Sequence, residues 1–291
     1  MVNDFAGDPD GLFALAQAVM QRSTQFTAAV GSLYAFGGPA PGSADRSKTG
    51  AQKLLKIMGF PEVPVYAGAD NALVDTDAPR VSEGAEALVR EANRTDTQLP
   101  LYVTCGGGLT DVASVLLMDP SIAGKFTLVW IGGSPHPSGG PEYNLDLDPD
   151  AGRVVFNQSE VPIWQVTSQA YSQCLVSFAE LECALGRCGK VGPYLLNALN
   201  EFVVDLGSRL RFGDAFSLGD SPLVLLTALN AFADSAGTSQ WDTIPTPRLA
   251  ADLTYASRPE GRPLRNYTLI DTRLMHGDLF APMNQRYGRR R

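Results

Sequence analysis

Near its amino terminus the chain reads Asn3-Asp4-Phe5-Ala6-Gly7-Asp8-Pro9-Asp10-Gly11, three carboxylates within one turn. Like charges held this close repel and call for a cation. Oxygen-only ligands favour Ca²⁺ or Mg²⁺ over softer metals. Helix capping is the competing reading, with Asp8 as cap, Pro9 at the first helical position and Asp10 in the first turn. Capping explains one or two of the acids, not three, so the turn is read as a metal-binding candidate.

A second group is Glu142-Tyr143-Asn144, which follows an apolar run and a Gly-rich loop. In extended chain Glu142 and Asn144 lie on one face and can address adjacent sugar hydroxyls. A solvated loop is the alternative. Asp220, in Gly219-Asp220-Ser221-Pro222, stands before an apolar helix and is either part of a site or a helix-start acid. Asp146, Asp148 and Asp150 alternate like a calcium loop but lack its glycine and closing Glu, so Asp148-Pro149-Asp150 reads as a helix start. Ser217, in Ala215-Phe216-Ser217-Leu218-Gly219, with His276 downstream, superficially resembles a nucleophile elbow. The preceding stretch 209–214 is too polar for the buried strand an elbow needs, which disfavours a serine hydrolase. Gly106-Gly107-Gly108 could cradle a phosphate at a helix start. No GxGxxG and no GxxxxGK[ST] surrounds it.

The elements that must position these residues follow from periodicity. Apolar runs of strand length alternate with amphipathic segments of helix length, which predicts βαβ units and a mostly parallel sheet. Strands are predicted over 27–33, 63–67, 99–104, 126–131, 162–166 and 268–270. The nearly all-apolar 126–131 is expected to be central. Helices are predicted over 11–20, 45–58, 81–92, 109–118, 175–185, 193–206 and 222–233. Gly-rich turns (Gly37-Gly38, Gly106 to Gly108, Gly132-Gly133, Gly139-Gly140) follow predicted strands, where open α/β sheets bind ligands.

Composition narrows the partners. The 291 residues are 44% hydrophobic and 19% charged, an ordinary globular balance with neither repeats nor a low-complexity linker. A net charge of -8 without a basic face argues against nucleic acid. The one basic cluster, Arg286 with Arg289, Arg290 and Arg291, reads as a solvated terminus. Two His and four Cys without a CxxC pair make a zinc site unlikely, and free buried thiols are expected over a Cys183–Cys188 disulfide. No apolar run is long enough to span a bilayer, and a cytoplasmic location is expected.

Taken in order, these segments resemble the inosine–uridine-type nucleoside hydrolase family along nearly the whole chain. Asp4 through Asp10, with the helix that follows, look like the family's D-P-G-x-D-D turn. Val65-Tyr66-Ala67-Gly68-Ala69 is similar to its PVYxGA strand. Gly106 through Asp111 look like its TGPLTN turn, and Ile131-Gly132-Gly133 with Glu142-Tyr143-Asn144 resembles its MGG…EFN. Leu218 through Leu223 sit where it has HDPL. The resemblance implies one domain over 1–291, an α/β fold with an open, mostly parallel sheet flanked by helices. It implies Ca²⁺-dependent hydrolysis of the N-glycosidic bond of ribonucleosides to ribose and free base, a role in purine/pyrimidine salvage, and a homo-oligomer, dimer or tetramer.

Residue by residue, Asp4 matches the acid that activates water and touches the metal. Asp8 and Asp10 match the acids that bind a ribose hydroxyl and Ca²⁺, and Pro9 between them leaves open an exchange of those roles. Gly106 matches a backbone carbonyl ligand and Asp220 the late metal-binding acid. Glu142 and Asn144 match sugar-hydroxyl binders, His136 falls near the 5′-hydroxyl, and Ser32 stands near an Asn that holds the ribose. Gly219 stands where many members carry a His that protonates the leaving base. Tyr34, Trp164 and Tyr171 are the aromatic candidates for stacking on the base, with core packing the commoner role for any one of them. Two alternatives remain: a non-catalytic Ca²⁺-dependent nucleoside- or sugar-binding protein on the same fold, and the serine hydrolase using Ser217. Because only Met1, Val2 and Asn3 precede Asp4, the first strand is expected to be truncated and the start to lie upstream, with room for a targeting segment.

Overall fold

The computed structural model describes residues 1–36, 40–206, 213–229 and 239–288. The paired glycines Gly37 and Gly38, the end of the predicted helix 222–233 and the terminal arginines Arg289 to Arg291 lie outside them.

In the first half, strands and helices alternate: β1 (Val2–Asn3), α1 (Asp10–Ala18), β2 (Ala29–Gly31), α2 (Ser43–Met58), β3 (Val65–Ala67), α3 (Glu83–Ala92), β4 (Leu101–Cys105), α4 (Thr110–Met118) and β5 (Phe126–Ile131). Short helices α5 (Tyr143–Asp146) and α6 (Pro149–Arg153) lead to β6 (Ile163–Val166) and α7 (Ser168–Tyr171). A hairpin-like pair, β7 (Leu175–Ser177) and β8 (Ala215–Ser217), brackets α8 (Phe178–Leu185) and α9 (Val191–Leu206). After α10 (Pro222–Ala228) come β9 (Gln240–Pro245), β10 (Arg248–Leu249), β11 (Tyr255–Ala256), β12 (Pro263–Leu269) and α11 (Thr272–Tyr287).

The main sheet has eight strands in the order β3-β2-β1-β4-β5-β6-β12-β9. All neighbours are parallel except β12 and β9. From β1 the chain runs outward through β2 to β3, then returns to place β4 on the other side of β1. The strand order therefore reverses between β1 and β4, where an open α/β sheet forms its ligand crevice beyond the carboxyl ends of the strands. β5 is interior, as its apolar run requires: Leu128, Val129, Trp130 and Ile131 are buried.

Most predicted elements are found with ends moved by one or two residues. Four differences have physical reasons. Leu175–Ser177 is a strand rather than the start of a helix, because Ser177 caps α8 by accepting the Glu180 N–H and leaves the preceding residues free to pair with β8. Glu142 to Asn144 are not extended: Glu142 caps α5 and Asn144 lies in its first turn. β9 lies on the sheet edge and carries no buried face, four of its six residues being exposed, so no apolar strand pattern marks it. The late strand begins at Pro263, five residues before the predicted 268–270, through the polar stretch Arg265-Asn266 that the apolar criterion skipped. Asp148 caps α6 with Pro149 following, as the helix-start reading expects. All four cysteines are free thiols. Among the described residues, no helix is long and apolar enough to cross a membrane.

Candidate active site

Four segments meet at the switch point. β1 ends at Asn3 and delivers Asp4. The turn that follows leads into α1 and delivers Asp8 and Asp10. β4 ends at Cys105 and delivers Gly106. The turn before α10 delivers Asp220. Asp4, Asp10 and Asp220 are only 1%, 7% and 3% exposed, while Asp8 is half-buried. Sequence positions more than two hundred residues apart thus converge.

Hydrogen bonds tie Asp8, Asp10 and Asp220 to the backbone and to Asn3. The Asp220 N–H donates to Asp10 Oδ2 at 3.1 Å. Asn3 Nδ2 donates to Asp220 Oδ2 at 2.9 Å, and Asn3 Oδ1 accepts the Asp4 N–H at 2.8 Å. The Asp10 N–H donates to Asp8 Oδ1 at 3.3 Å, but α1 begins at Asp10 with Pro9 in the cap position and no side-chain cap, so the capping reading with Asp8 as cap does not hold. Glycines permit the approach. A Cβ on Gly106 would stand 2.5 Å from Asn3 Nδ2 and 2.6 Å from Asp220 Oδ1. A Cβ on Gly7 would stand 2.5 Å from Asp4 Oδ2. Asn3 escaped the sequence reading because a lone amide before an acid carries no signal of its own.

The electrostatics are those of crowded, buried anions. Burial raises the pKa of Asp4, Asp8, Asp10 and Asp220 well above the ordinary carboxylate range, and neighbouring carboxylates raise them further. The neighbour is Asp8 for Asp4, Asp10 for Asp8, and Asp220 then Asp4 for Asp10. Among the described residues none of the four has an ion-pair partner. Asp4 Oδ2 is buried with no hydrogen-bond partner at all.

These features fit a hard divalent cation: an all-oxygen donor set, an orphaned carboxylate oxygen and a glycine where a Cβ would close the space. The side chains as they stand do not form a ready cage, since among the described residues no three His, Cys, Asp or Glu side chains make a preassembled cluster. The Asp220 oxygen facing Asn3 and the Asp10 oxygen facing the Asp220 N–H are already engaged.

The second half of the site lies beyond β5 and β6. Glu142 Oε2 accepts the N–H groups of Gly133 (2.6 Å) and Leu145 (3.2 Å), and Oε1 accepts the Tyr171 hydroxyl (2.9 Å). Burial raises the Glu142 pKa, and these hydrogen bonds oppose the rise. Asn144 Nδ2 donates to Ile131 O at 2.9 Å and, at 3.4 Å, to Gly106 O. That leaves Asn144 Oδ1 as its remaining acceptor. Asn144 thus ties the Glu142 turn to the glycine beside the acid cluster. Ser32, just after β2, is buried with a partnerless hydroxyl, and a Cβ on Gly107 would stand 2.8 Å from it.

His136 is held by a network that sequence reasoning did not find. Gln165 Nε2 donates to Gly132 O and to Tyr255 Oη, so Gln165 Oε1 faces His136 Nε2 at 2.9 Å. The imidazole stacks on Tyr255 with centroids 4.4 Å apart, and burial lowers its pKa. Since Oε1 can only accept, His136 Nε2 carries the proton.

Of the aromatic candidates, Tyr34 and Tyr171 border the acids. A Cβ on Gly7 would stand 2.8 Å from Tyr34 Cβ, and one on Gly219 3.6 Å from Tyr171 Cδ2. Trp164 does not serve the site: it packs against Tyr102 and lies under the Arg265 guanidinium, 4.2 Å from its ring centre. Tyr143 and Phe36, stacked at 4.4 Å, form a further aromatic wall, and Asp4 and Asp8 act electrostatically on Tyr143. Phe36 had no periodic context to mark it. Ser217 is no nucleophile: its hydroxyl donates to Tyr171 O at 2.9 Å, while the His276 Nε2 is buried without a partner.

A parallel sheet with buried acids gathered at its switch point defines a candidate small-molecule site. The description "Inosine-uridine preferring nucleoside hydrolase" belongs to the family model that matches residues 39–230. The chain belongs to that family. It is 29% identical over 143 residues to the inosine-uridine preferring nucleoside hydrolase of Crithidia fasciculata, spanning 40% of this chain and 44% of that protein. The enzyme of the same name from Leishmania major is 28% identical over 151 residues, 43% of this chain and 47% of the relative. These alignments span less than half the length of either relative. Among solved structures, a purine-preferring ribonucleoside hydrolase from Gardnerella vaginalis superposes with a TM-score of 0.78 at 16% identity, covering 98% of each chain. A plant nucleoside hydrolase gives 0.74 at 18%, covering 97% of this chain and 98% of that one. At such identities the likeness speaks for the fold.

Proposed function

We propose that this chain hydrolyses the N-glycosidic bond of ribonucleosides to ribose and free base, with Ca²⁺ as its metal. The observation that carries the reading is Asp4 Oδ2, a buried carboxylate oxygen without a partner, set among three other acids at the switch point. Family membership supports the same reaction.

Asp4, Asp10, Asp220 and the Gly106 carbonyl would hold the cation. When bound, Ca²⁺ neutralises the mutual repulsion of the acids and acidifies a water in the site. Asp4 takes the proton of the attacking water at Oδ2, the atom left free by every other contact. Asp8, Ser32, Asn144 Oδ1, Glu142 Oε1 and His136 offer positions for ribose hydroxyls, and binding these converts affinity into barrier lowering. Tyr34, Tyr143 and Phe36 supply an apolar wall for the base.

The test is a panel of ribonucleosides assayed for reducing sugar and free base, with and without chelator. Release of both products, abolished by chelation and restored by Ca²⁺, is expected. Binding of nucleosides without product release would instead establish the non-catalytic reading.

A further inference from the structure

Glu142 is the most fully occupied carboxylate of the site. A carboxylate offers about four lone-pair positions. Two on Oε2 are taken by the backbone N–H groups of Gly133 and Leu145. One on Oε1 is taken by the Tyr171 hydroxyl. The Asn144 N–H also acts on the carboxylate, but the hydrogen bond placed on Oε1 is that of the Tyr171 hydroxyl, so the second acceptor position of Oε1 remains and the hydroxyl determines where it points.

Tyr171 is itself firmly placed. Its N–H donates to Thr167 O within the α7 turn. Its carbonyl accepts the Ser217 hydroxyl at 2.9 Å and the Cys174 N–H at 3.1 Å, which straps α7 to β8. β8 leads directly to Gly219 and Asp220. The Tyr171 ring lies flush against Gly219: a Cβ there would be 3.6 Å from Cδ2, 3.7 Å from Tyr171 Cβ and 3.3 Å from Asp10 Oδ2. Asp10, Asp220 and Glu142 all act electrostatically on the phenol, whose pKa is raised, burial being the main cause. It stays a neutral donor throughout the working range. Tyr171 thus spans the two halves of the site, one edge on the acid cluster and its hydroxyl on Glu142.

We propose that Tyr171 is a positioning residue of the ribose site, aiming Glu142 so that its one free acceptor position takes a single sugar hydroxyl. The inference rests on the nucleoside-hydrolase reading. It makes Tyr171 act through Glu142, and no proton leaves the phenol.

The test compares wild type with Tyr171→Phe on a ribonucleoside and its 2′-, 3′- and 5′-deoxy analogues. Losing a hydrogen bond to a charged group is expected to lower kcat/KM on the parent nucleoside roughly tenfold. The diagnostic is coupling: the penalty for one of the three deoxy substitutions should shrink severalfold in Tyr171→Phe, while the other two stay additive. The acidic limb of the kcat/KM profile should also move to higher pH, because the phenol favours ionised Glu142. The other groups near this pair are Tyr255, Asp10 and Asp220, all retained in the variant. Full additivity with all three analogues and an unmoved acidic limb would overturn the inference while leaving the enzyme reading intact. A wild-type protein that cleaves no nucleoside would overturn both.

Discussion

The Asp220 backbone N–H donates to Asp10 Oδ2 at 3.1 Å, joining the start of α1 to the turn before α10. The bond brings two buried acids together: burial raises the proton affinity of both, Asp220 raises that of Asp10 further, and Asp4 and Asp8 raise that of Asp220 while its contact with Asp10 lowers it. A raised folded-state carboxylate pKa gives stability that is present below the unfolded value and lost as pH rises through the folded one. Metal-free protein should therefore lose stability toward neutral and alkaline pH.

Ca²⁺ is expected to reverse that loss. A ligand that binds only the folded state stabilises it by mass action, about 2.7 kcal/mol at a hundredfold excess over Kd. The increase in Tm on adding Ca²⁺ should grow with pH, and Asp10→Asn should weaken Ca²⁺ binding measured by calorimetry. A Tm indifferent to Ca²⁺ across the pH range would contradict the metal assignment.

Gly219 offers no proton donor at its position, and Tyr171 borders it, 3.6 Å from where a Cβ would stand. Substrates with good leaving groups, such as nitrophenyl riboside, should then be cleaved on the order of a hundredfold faster than inosine, the usual contribution of general acid catalysis. Equal rates would mean that another group, with His136 the first to test, supplies the proton.

How far the sequence reached depends on the range of the interactions involved. The sheet was legible because buried parallel strands such as Phe126–Ile131 must be apolar on both faces. The acids Asp4, Asp8 and Asp10 were legible because three carboxylates in one turn have few other uses. Asn3, Gln165, Tyr143 and Phe36 were not legible: each matters only through a partner distant in sequence, such as Asp220 for Asn3. Glu142 was found for its chemistry but misplaced in conformation, since its capping contact with Leu145 and its reach to Gly133 both depend on a turn that periodicity does not encode. Trp164 could not be separated from Tyr34 and Tyr171 in sequence, because an indole that binds a base and one that packs on a guanidinium look alike there.

That last case separates fold from function. Arg265 lies between Trp164 and Trp241, 4.2 Å and 4.3 Å from their ring centres. Arg265→Ala should cost about 1–2 kcal/mol of stability in a denaturant melt, the range for partly desolvated cation–π contacts. KM and kcat should not change, because the sandwich lies along β6, β12 and β9, away from the acids. A changed KM would return Trp164 to the substrate site.

Asp111 offers a pH test away from the acid cluster. It is buried at the start of α4, with Oδ1 accepting the Ala69 N–H and the Ser82 hydroxyl, and with Oδ2 unpartnered. Burial pushes its pKa up to about 6, against 3.8 for an ordinary Asp, and the two hydrogen bonds hold it from rising further. Its contribution to stability is therefore complete below about pH 4 and is lost as pH rises through about 6. The difference between these values corresponds to roughly 3 kcal/mol. Asp111→Asn retains an acceptor for Ala69 and Ser82 but cannot titrate. Measured by denaturant unfolding in saturating Ca²⁺, so that the distant acids behave alike in both proteins, wild type should lose stability relative to Asp111→Asn between pH 4 and 7. Above pH 7 the two curves should run parallel. Curves parallel over the whole range would mean that Asp111 titrates as it does in the unfolded chain, and that its hydrogen bonds compensate the burial in full.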